Sequence, residues 1–455
     1  MAFEGPGEIR EKNIGQLIWK FFWPAFIGLL ANTLYNIVDR IFIGRGVGAE
    51  ALSGLSVVFP IMIIVAAFGM LIGVGSGVRV SIAMGKKDIH MAEKVLGNGF
   101  ILMVIVGIIV TIIGFAIKDP LLRSFGATKV TIGYAQEYLN IILLGNVFQI
   151  VGFSMNNIIR SEGNPMKAMI SMLVSAGLNA VLAPIFIFLF NMGVKGAAIA
   201  TVISQFVLMV WVLRHYLLKR SVLQLKLHHL KLDSHIVWQI VTIGMSPFAM
   251  QVAGSFVQAS FNKHLIHYGG DIAAGAMGII NSVSILISMS IIALNMASQP
   301  IIGFNFGAKK YDRVRQTWNI GIVAGTLIAV IAFALVELFP GAIIRLFNTS
   351  DPDLYRIGKE GLRIFVLMLP VVGFQMICSN YFQSIGKAKI SLFMTLLRQM
   401  IILLPLLIIF SRIWGIEGIW IAMPVSDFIA ACVVFVFYLS EKKKLSLLEA
   451  AMVKQ

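Results

Sequence analysis

Long apolar stretches separated by short polar or charged breaks make up most of this 455-residue chain. A helix of about 20 apolar residues is long enough to cross the hydrocarbon core of a bilayer, so the pattern predicts an all-α polytopic membrane protein of roughly twelve spans. The predicted spans are approximately residues 14–43, 51–80, 94–117, 132–159, 168–190, 195–218, 237–266, 273–303, 313–337, 357–383, 390–411 and 416–440.

Composition agrees with this assignment. Hydrophobic residues make up 58% of the chain and charged residues 13%, whereas soluble domains carry about 25% charged residues. A soluble enzyme, a secreted disulfide scaffold and a disordered chain are therefore excluded. Cys378 and Cys432 lie inside apolar stretches and predict neither a disulfide nor a metal site. The first apolar stretch, of about 30 residues, is too long for a cleaved signal peptide.

The net charge of +16 first suggests a nucleic-acid partner, but the positions of the basic residues explain it otherwise. Most Lys and Arg residues outside the spans fall in the two tails and in alternate loops, including Lys86 and Lys87. Because cytoplasmic loops of membrane proteins are rich in Lys and Arg, both termini are predicted to be cytoplasmic. We therefore expect a multi-pass protein of the cell (inner) membrane that does not bind nucleic acid.

The chain repeats itself at a shift of about 222 residues. Pro24 in the first span matches Pro247 in the seventh. The most specific match sets Gly193, Gly196, Ala200 and Ser204 against Gly415, Gly418, Ala422 and Ser426. The repeat predicts an N-terminal six-helix bundle, residues 1–222, and a C-terminal one, residues 223–455. An even number of spans in each half predicts a parallel repeat about an axis along the membrane normal.

The repeat architecture favours a secondary transporter that works by alternating access. No Gly-rich phosphate loop ending in Gly-Lys-Ser/Thr is present in the sequence, which argues against ATP hydrolysis by that route. No catalytic constellation is visible, so we expect no enzyme activity and no cofactor. A membrane-embedded transferase remains an alternative that would need clustered acidic or His residues at an interface. The basic segment 214–235 predicts a cytoplasmic linker, with a surface helix as an alternative.

Asp39 is the most informative polar residue, because ionisable side chains are rare inside membrane spans. Asn32, Tyr35, Asn36 and Asp39 follow one another at helical spacing on one face of the first span. Such a stripe must face protein or water, and its carboxyl group could exchange a proton or bind Na⁺. The alternative is a buried structural carboxyl group paired with Arg40 or with another group.

Further polar positions predict a pocket around Asp39 and a substrate cavity. In the N-terminal half they are Asn156 and Asn157, then Ser171, Ser175 and Asn179 on one helix face, and Thr201. In the C-terminal half they are Ser255, Gln258 and Asn262, then Gln375, Ser379 and Gln383. Each of these residues could instead make a helix–helix hydrogen bond. Since Asn262 occupies the position that matches Asp39, ion coupling is expected in the N-terminal half.

Asp427, in the twelfth span, is the alternative coupling carboxylate. Arg398 also lies well inside a span, so the two side chains could form a structural ion pair. In that case Asp427 would have no role in coupling.

In its repeat and its polar span residues, the sequence resembles the multidrug and toxic compound extrusion (MATE) family over nearly its whole length. Within that family it most resembles the prokaryotic DinF/MepA-like branches. The resemblance is carried by three segments in order: Asn36-Ile37-Val38-Asp39-Arg40 followed by Ile43-Gly44, Arg160-Ser161-Glu162-Gly163-Asn164-Pro165, and Met192-Gly193-Val194-Lys195-Gly196-Ala197-Ala198.

The resemblance implies export of cationic or amphipathic compounds in exchange for H⁺ or Na⁺, with no cofactor and no obligate protein partner. It implies a cation-coupling site of Asp39, Asn179 and Thr201, with Tyr35 and Asn36 beside them. Two acidic positions of related branches differ here, where the chain has Ala183 and Gln258. A flippase for lipid-linked oligosaccharides is the alternative, and it would need Arg398 or Arg79 to face a cationic cavity.

Overall fold

The computed structural model describes residues 6–218, 221–347 and 352–453, and it is all-helical in those ranges. The helices are α1 (Pro6–Glu11), α2 (Ile14–Gly46), α3 (Ala49–Gly85), α4 (Ile89–Ser124), α5 (Ile132–Ser161), α6 (Pro165–Pro184), α7 (Gly193–Leu217), α8 (Ser234–Gly307), α9 (Tyr311–Leu338), α10 (Pro340–Phe347), α11 (Pro352–Phe365), α12 (Leu369–Ser384), α13 (Ala388–Leu396) and α14 (Leu404–Val453). A π-helical turn, Ile185–Leu189, continues α6, and another, Leu397–Leu403, joins α13 to α14.

The twelve predicted spans are confirmed. In the described ranges, nine helical stretches are long and apolar enough to cross a membrane. Two of them, containing α8 and α14, are interrupted by a non-helical glycine, Gly270 and Gly415, and so count as two spans each. The bent pair of α11 and α12 supplies the remaining span. The protein is therefore a polytopic, all-α membrane protein.

The start of α4 and its lipid-facing surface both follow from the local sequence. Asp88 caps α4, since its Oδ1 accepts a hydrogen bond from the backbone N–H of Met91 at 2.9 Å. On the outer surface of the same helix Ile112 is 63% exposed, as expected for a side chain that faces lipid. Most helices extend several residues beyond the predicted spans, because polar ends outside the apolar stretch remain helical. The last helix continues to Val453, well past the predicted end at 440.

The sequence repeat is also present in the backbone. Four residues with left-handed backbone conformation each have a left-handed counterpart at the repeat offset. The pairs are Gly48 and Gly270, Lys87 and Lys309, Gly163 and Gly386, and Gly193 and Gly415. Left-handed backbone is unfavourable for residues with a Cβ, so its recurrence at two lysines shows that each half builds the same turns.

The chain packs into two compact units. The first contains residues 1–12 and 23–251, and the second 13–22 and 252–455. In the first unit, α3, α5 and α7 carry most of one apolar core, which includes Val58, Leu139 and Ala197. In the second, Leu265, Leu362 and Trp420 belong to the other core. The sequence-based boundary at 222/223 stays a prediction.

The basic linker contains no surface helix in its described part. Between α7 and α8 the structure has only a single 3₁₀ turn, Leu227–His229, and residues 219 and 220 lie outside the described ranges. The alternating Lys, Leu and His residues of this segment form no apolar face long enough to support a helix.

Gly373 tests the packing of the second unit. A methyl group at this position in α12 would overlap the carbonyl oxygen of Gly325 in α9. We expect Gly373→Ala to lower the free energy of unfolding by about 1–3 kcal/mol, the range for an overpacked core. Gly278→Ala is the matched control, because no atom lies within 4 Å of its added methyl group. Thermal unfolding in detergent measures both, and equal stability of the two variants would contradict the close α9–α12 contact.

Candidate functional site

The first unit brings Asp39 of α2 together with Thr201 of α7 and Asn179 of α6. Thr201 Oγ1 donates to Asp39 Oδ2 at 3.3 Å, and Asn179 Nδ2 donates to Thr201 Oγ1 at 3.2 Å. The three residues are buried, with exposures of 5% or less. The amide and the hydroxyl therefore form a short chain of donors that ends on the carboxyl group.

Thr201 has a second acceptor within reach. Its Oγ1 also lies 3.1 Å from the backbone carbonyl oxygen of Ala197, one turn earlier in α7, a bond that helical Thr residues commonly make. One hydroxyl carries one proton, so it serves either acceptor fully only by turning away from the other. Thr201 can thus follow a change in the charge of Asp39 without moving its backbone.

Two buried oxygens at this site lack donors. Asp39 Oδ1 and Asn179 Oδ1 have no hydrogen-bond partner among the described residues. A buried acceptor without a partner is unfavourable by about 1–3 kcal/mol. These two acceptors, together with the hydroxyl oxygen of Thr201, are the atom types that attract a proton or a hard cation.

Arg40 does not neutralise Asp39. Its guanidinium group stacks over the ring of Phe59, with Cζ 4.5 Å from the ring centroid, and the side chain is exposed. No Lys, Arg or His in the described ranges forms a salt bridge with Asp39. The alternative of an Asp39–Arg40 pair is therefore not what the structure contains.

The rest of the α2 stripe lies around this group. Tyr35 is half-buried and close to Asp39. The Asn36 amide donates to the carbonyl of Asn32 in its own helix at 2.8 Å. Tyr138 of α5 is buried beside Asp39 and Thr201 and was not among the sequence-based candidates. A lone tyrosine in an apolar span has no partner in the sequence that could have signalled it.

The polar residues of α5 lie in a separate network. The buried guanidinium of Arg160 donates to Asn156 Oδ1 at 3.0 Å and to Asn157 Oδ1 at 3.2 Å. Asn156 also donates to Ser171 Oγ at 2.8 Å. In α6, Ser175 donates to the carbonyl of Ser204 at 2.9 Å, which is a helix–helix bond. The prediction that Asn156, Asn157 and Ser175 line a substrate cavity is not tested by these contacts and stays a prediction.

In the corresponding stripe of the second unit, Gln258 bonds to neutral residues. Asn281 donates to Gln258 Oε1 at 2.9 Å, and Gln258 Nε2 lies 3.4 Å from Asn262 Oδ1. Asn262 is exposed, unlike the buried Asp39 that it matches in the repeat. The cavity role predicted for Gln258 and Asn262 likewise stays a prediction.

Asp427 lies in a different environment from Asp39. Arg398 Nε donates to Asp427 Oδ1 at 2.6 Å, and Gln375 Nε2 donates to the Asp427 backbone carbonyl at 2.5 Å. The structural ion pair considered from the sequence is therefore present. Of the two membrane carboxylates singled out by the sequence, only Asp39 is without a cationic partner among the described residues.

Ala183 stands at the position where the family resemblance implies a second aspartate in related branches. It is fully buried within the apolar core of the first unit. Immediately after it, Pro184 is followed by the π-helical turn Ile185–Leu189, a local geometry that is frequent near functional sites. Within the described residues, no group of three or more His, Cys, Asp or Glu side chains could hold a metal ion.

Thr201 offers a direct test of this geometry. We expect Thr201→Val to reduce ion-driven transport by roughly tenfold or more, because it removes the hydroxyl that donates to a buried carboxyl group and such bonds contribute about 1.5–3 kcal/mol. Thr201→Ser keeps the hydroxyl group and should retain most of the activity. The initial rate of dye transport in proteoliposomes measures both, and equal rates for Val and wild type would remove Thr201 from the site.

Comparison with known proteins gives a consistent picture. The MatE family model matches residues 24–185 and again residues 247–409. The multidrug export protein MepA of Staphylococcus haemolyticus (strain JCSC1435) is 26% identical over 445 residues, 98% of each chain. The structure of the MATE multidrug transporter DinF-BH with a bound compound is 36% identical, covers 94% of this chain and 96% of that one, and has a TM-score of 0.88.

A second structure, an outward-facing multidrug resistance MATE transporter of the MOP superfamily, has a TM-score of 0.91 at 26% identity and covers 98% of this chain and 99% of that one. The double family match, one in each half, agrees with the repeated turns. The chain belongs to the MATE family, whose members are membrane transporters and not enzymes.

Proposed function

We propose that this protein exports cationic or amphipathic compounds in exchange for H⁺ or Na⁺ by alternating access, with Asp39 as the coupling carboxylate. The observation that carries the proposal is the buried Asp39 carboxyl group, which has a hydroxyl donor on one oxygen and no partner among the described residues on the other. A carboxyl group held in this way gains more from a proton or a cation than one already paired with an arginine.

The names of the relatives support the substrate class. The Staphylococcus homologues are multidrug export proteins, and the DinF-BH structure is that of a multidrug transporter in complex with a compound. The membrane spans agree with a multi-pass protein, and we place it in the cell (inner) membrane with both termini in the cytoplasm, on the basis of the Lys and Arg distribution.

Asp39 would carry the coupling alone. With Ala183 and Gln258 at the two positions where other branches are acidic, the described site offers one carboxyl group. One carboxylate suffices to carry one proton. A Na⁺ ion would instead need the oxygens of Asp39, Asn179 and Thr201 as ligands, since hard cations prefer oxygen.

The flippase alternative is less well supported. It requires a free cationic side chain to hold a pyrophosphate, and Arg398 is one of the two candidates. Its charge is already matched by Asp427 at 2.6 Å. Arg79, the other candidate, is half-buried in α3, and a single arginine is a weak site for a doubly charged group.

Transport of ethidium into or out of proteoliposomes tests the proposal. Purified protein is reconstituted, and dye movement is followed with a pH gradient alone, a Na⁺ gradient alone, and neither. We expect accumulation under one of the two gradients, which then identifies the coupling ion. Absence of transport under both gradients, in protein that unfolds cooperatively and is monodisperse, would contradict the antiporter.

A further inference from the structure

Helices α3 and α8 cross in direct backbone contact inside the first unit. At Gly244 of α8 an added methyl group would overlap the carbonyl oxygen of Leu71, and at Gly75 of α3 it would overlap that of Ile240. The rings of Phe68 and Phe248 meet at the same crossing with centroids 5.0 Å apart. Only glycine allows helices to approach this closely.

The chain just before α8 is held by polar bonds of a different kind. Glu93 of α4 accepts from the backbone N–H of Gln224 at 3.1 Å and from Lys226 Nζ at 2.6 Å. Asn98 Oδ1 accepts from the backbone N–H of Asp233 at 2.6 Å. Since Glu93 is buried and one of its bonds is charge-assisted, residues 221–233 are firmly anchored on α4.

The crossing itself is held differently. At Gly75 and Gly244 the contact is between glycine and helix backbone, and at Phe68 and Phe248 it is between two aromatic rings, and such contacts are individually weak. Gly75 lies ten residues before the end of α3 at Gly85, and Gly244 lies within the first four turns of α8. In the proposed orientation both of these helix ends are cytoplasmic.

We propose that this crossing is a cytoplasmic closure, which opens when α3 and α8 separate at Gly75 and Gly244 while residues 221–233 stay anchored on α4. The proposal rests on the proposed function, because alternating access requires the cytoplasmic end to open and close. The two glycines set how tightly the closure shuts. Addition of one methyl group should keep it partly open.

A buried reporter cysteine measures the opening. Ile240→Cys is placed at the crossing in a Cys378→Ser, Cys432→Ser background, where the wild-type residue is fully buried. Labelling by a membrane-impermeant maleimide, applied to the cytoplasmic side of inverted vesicles, is followed with time. We expect Gly244→Ala and Gly75→Ala each to raise the labelling rate by about tenfold or more, as overpacking favours the open form.

Each variant has a matched control on the same helix. An added methyl group at Gly254 of α8 meets nothing within 4 Å, and at Gly69 of α3 it makes only ordinary contacts from 3.7 Å. Gly254→Ala and Gly69→Ala should leave the labelling rate within about twofold of the parent, because the added methyl group displaces no neighbouring atom. Equal rates in all variants, or equal acceleration in the controls, would overturn the closure.

A second measurement needs no glycine replacement. Phe68→Cys and Phe248→Cys, in the same cysteine-free background, are joined by a short bis-methanethiosulfonate reagent, which forms a disulfide with each cysteine, releases methanesulfinate, and is cleaved off by a reductant. Linkage should stop ethidium transport and reductant should restore it, while each single cysteine with the reagent keeps transport. Transport by the linked protein at the unlinked rate would overturn the closure. The labelling experiment does not require transport, so failure of the antiporter and failure of the closure give different results.

Discussion

Replacement of Asp39 by asparagine is expected to abolish ion-driven ethidium transport, with a fall in initial rate of about 100-fold or more, because it removes the carboxyl group that we propose carries the coupling ion. Asparagine has nearly the same shape, and its side-chain oxygen can still accept the bond from Thr201. The fold should therefore survive. The measurement is the initial rate in proteoliposomes under whichever gradient drives the wild-type protein.

Two further readouts separate a coupling defect from a folding defect. Asp39→Asn should keep its thermal unfolding midpoint and should still bind ethidium at equilibrium, although transport is lost. Asp353→Asn is the matched control, since Asp353 forms an exposed pair with Arg356 and the same chemical change there should leave transport unchanged. If Asp39→Asn transports normally and Asp427→Asn does not, the coupling site is Asp427.

Arg398→Ala is expected to destabilise the protein by about 3–5 kcal/mol, because it leaves the Asp427 carboxylate buried without its cation. Since Arg398 also bonds directly to that carboxylate, the loss includes a charge-assisted hydrogen bond at 2.6 Å. Thermal unfolding in detergent, compared with wild type under the same conditions, measures the effect.

The double replacement of Arg398 by Met and Asp427 by Leu tests whether the loss of stability comes from the unpaired charge or from lost packing. When both charges are removed together, no unpaired charge remains, and we expect most of the stability to return. Arg356→Ala at the exposed pair should change the unfolding free energy by only about 0–1 kcal/mol. A double variant as unstable as Arg398→Ala would show that packing, and not the charge, holds this part of the second unit together.

The sequence predicted the spans well because each span has the same requirement, about 20 apolar residues that satisfy their own backbone hydrogen bonds. It could not locate the helix ends, as polar residues at the membrane surface are free to continue a helix. The extension of α14 to Val453 is of this kind, since Glu441 beyond the apolar stretch pairs with Lys387. The bend between α11 and α12 lies directly before Pro370, because a proline disfavours helical backbone at the residue that precedes it.

The site could be predicted only in part. Helical spacing brought Asp39 to notice, and the polar positions of other spans, together with the family resemblance, indicated Asn179 and Thr201; the structure places these three side chains in contact. Spacing on one helix says nothing about which residue of another helix lies opposite. For that reason Tyr138 was missed. The bonds between the buried Arg160 and the side chains of Asn156 and Asn157 join residues three and four positions apart in one helix, which helical spacing alone brings together.

The single carboxyl group of the proposed coupling site has an electrical consequence. If Asp39 takes up one proton for each singly charged drug that leaves, the exchange moves one positive charge inward and one outward. Such a cycle is electroneutral, so the membrane voltage drops out of its driving force and only the two concentration ratios remain. A doubly charged drug would break this balance, and its export would have to work against or with the voltage. In the proposed mechanism, the alanine at position 183, in place of a second carboxylate, would thus determine which part of the electrochemical gradient the protein can use.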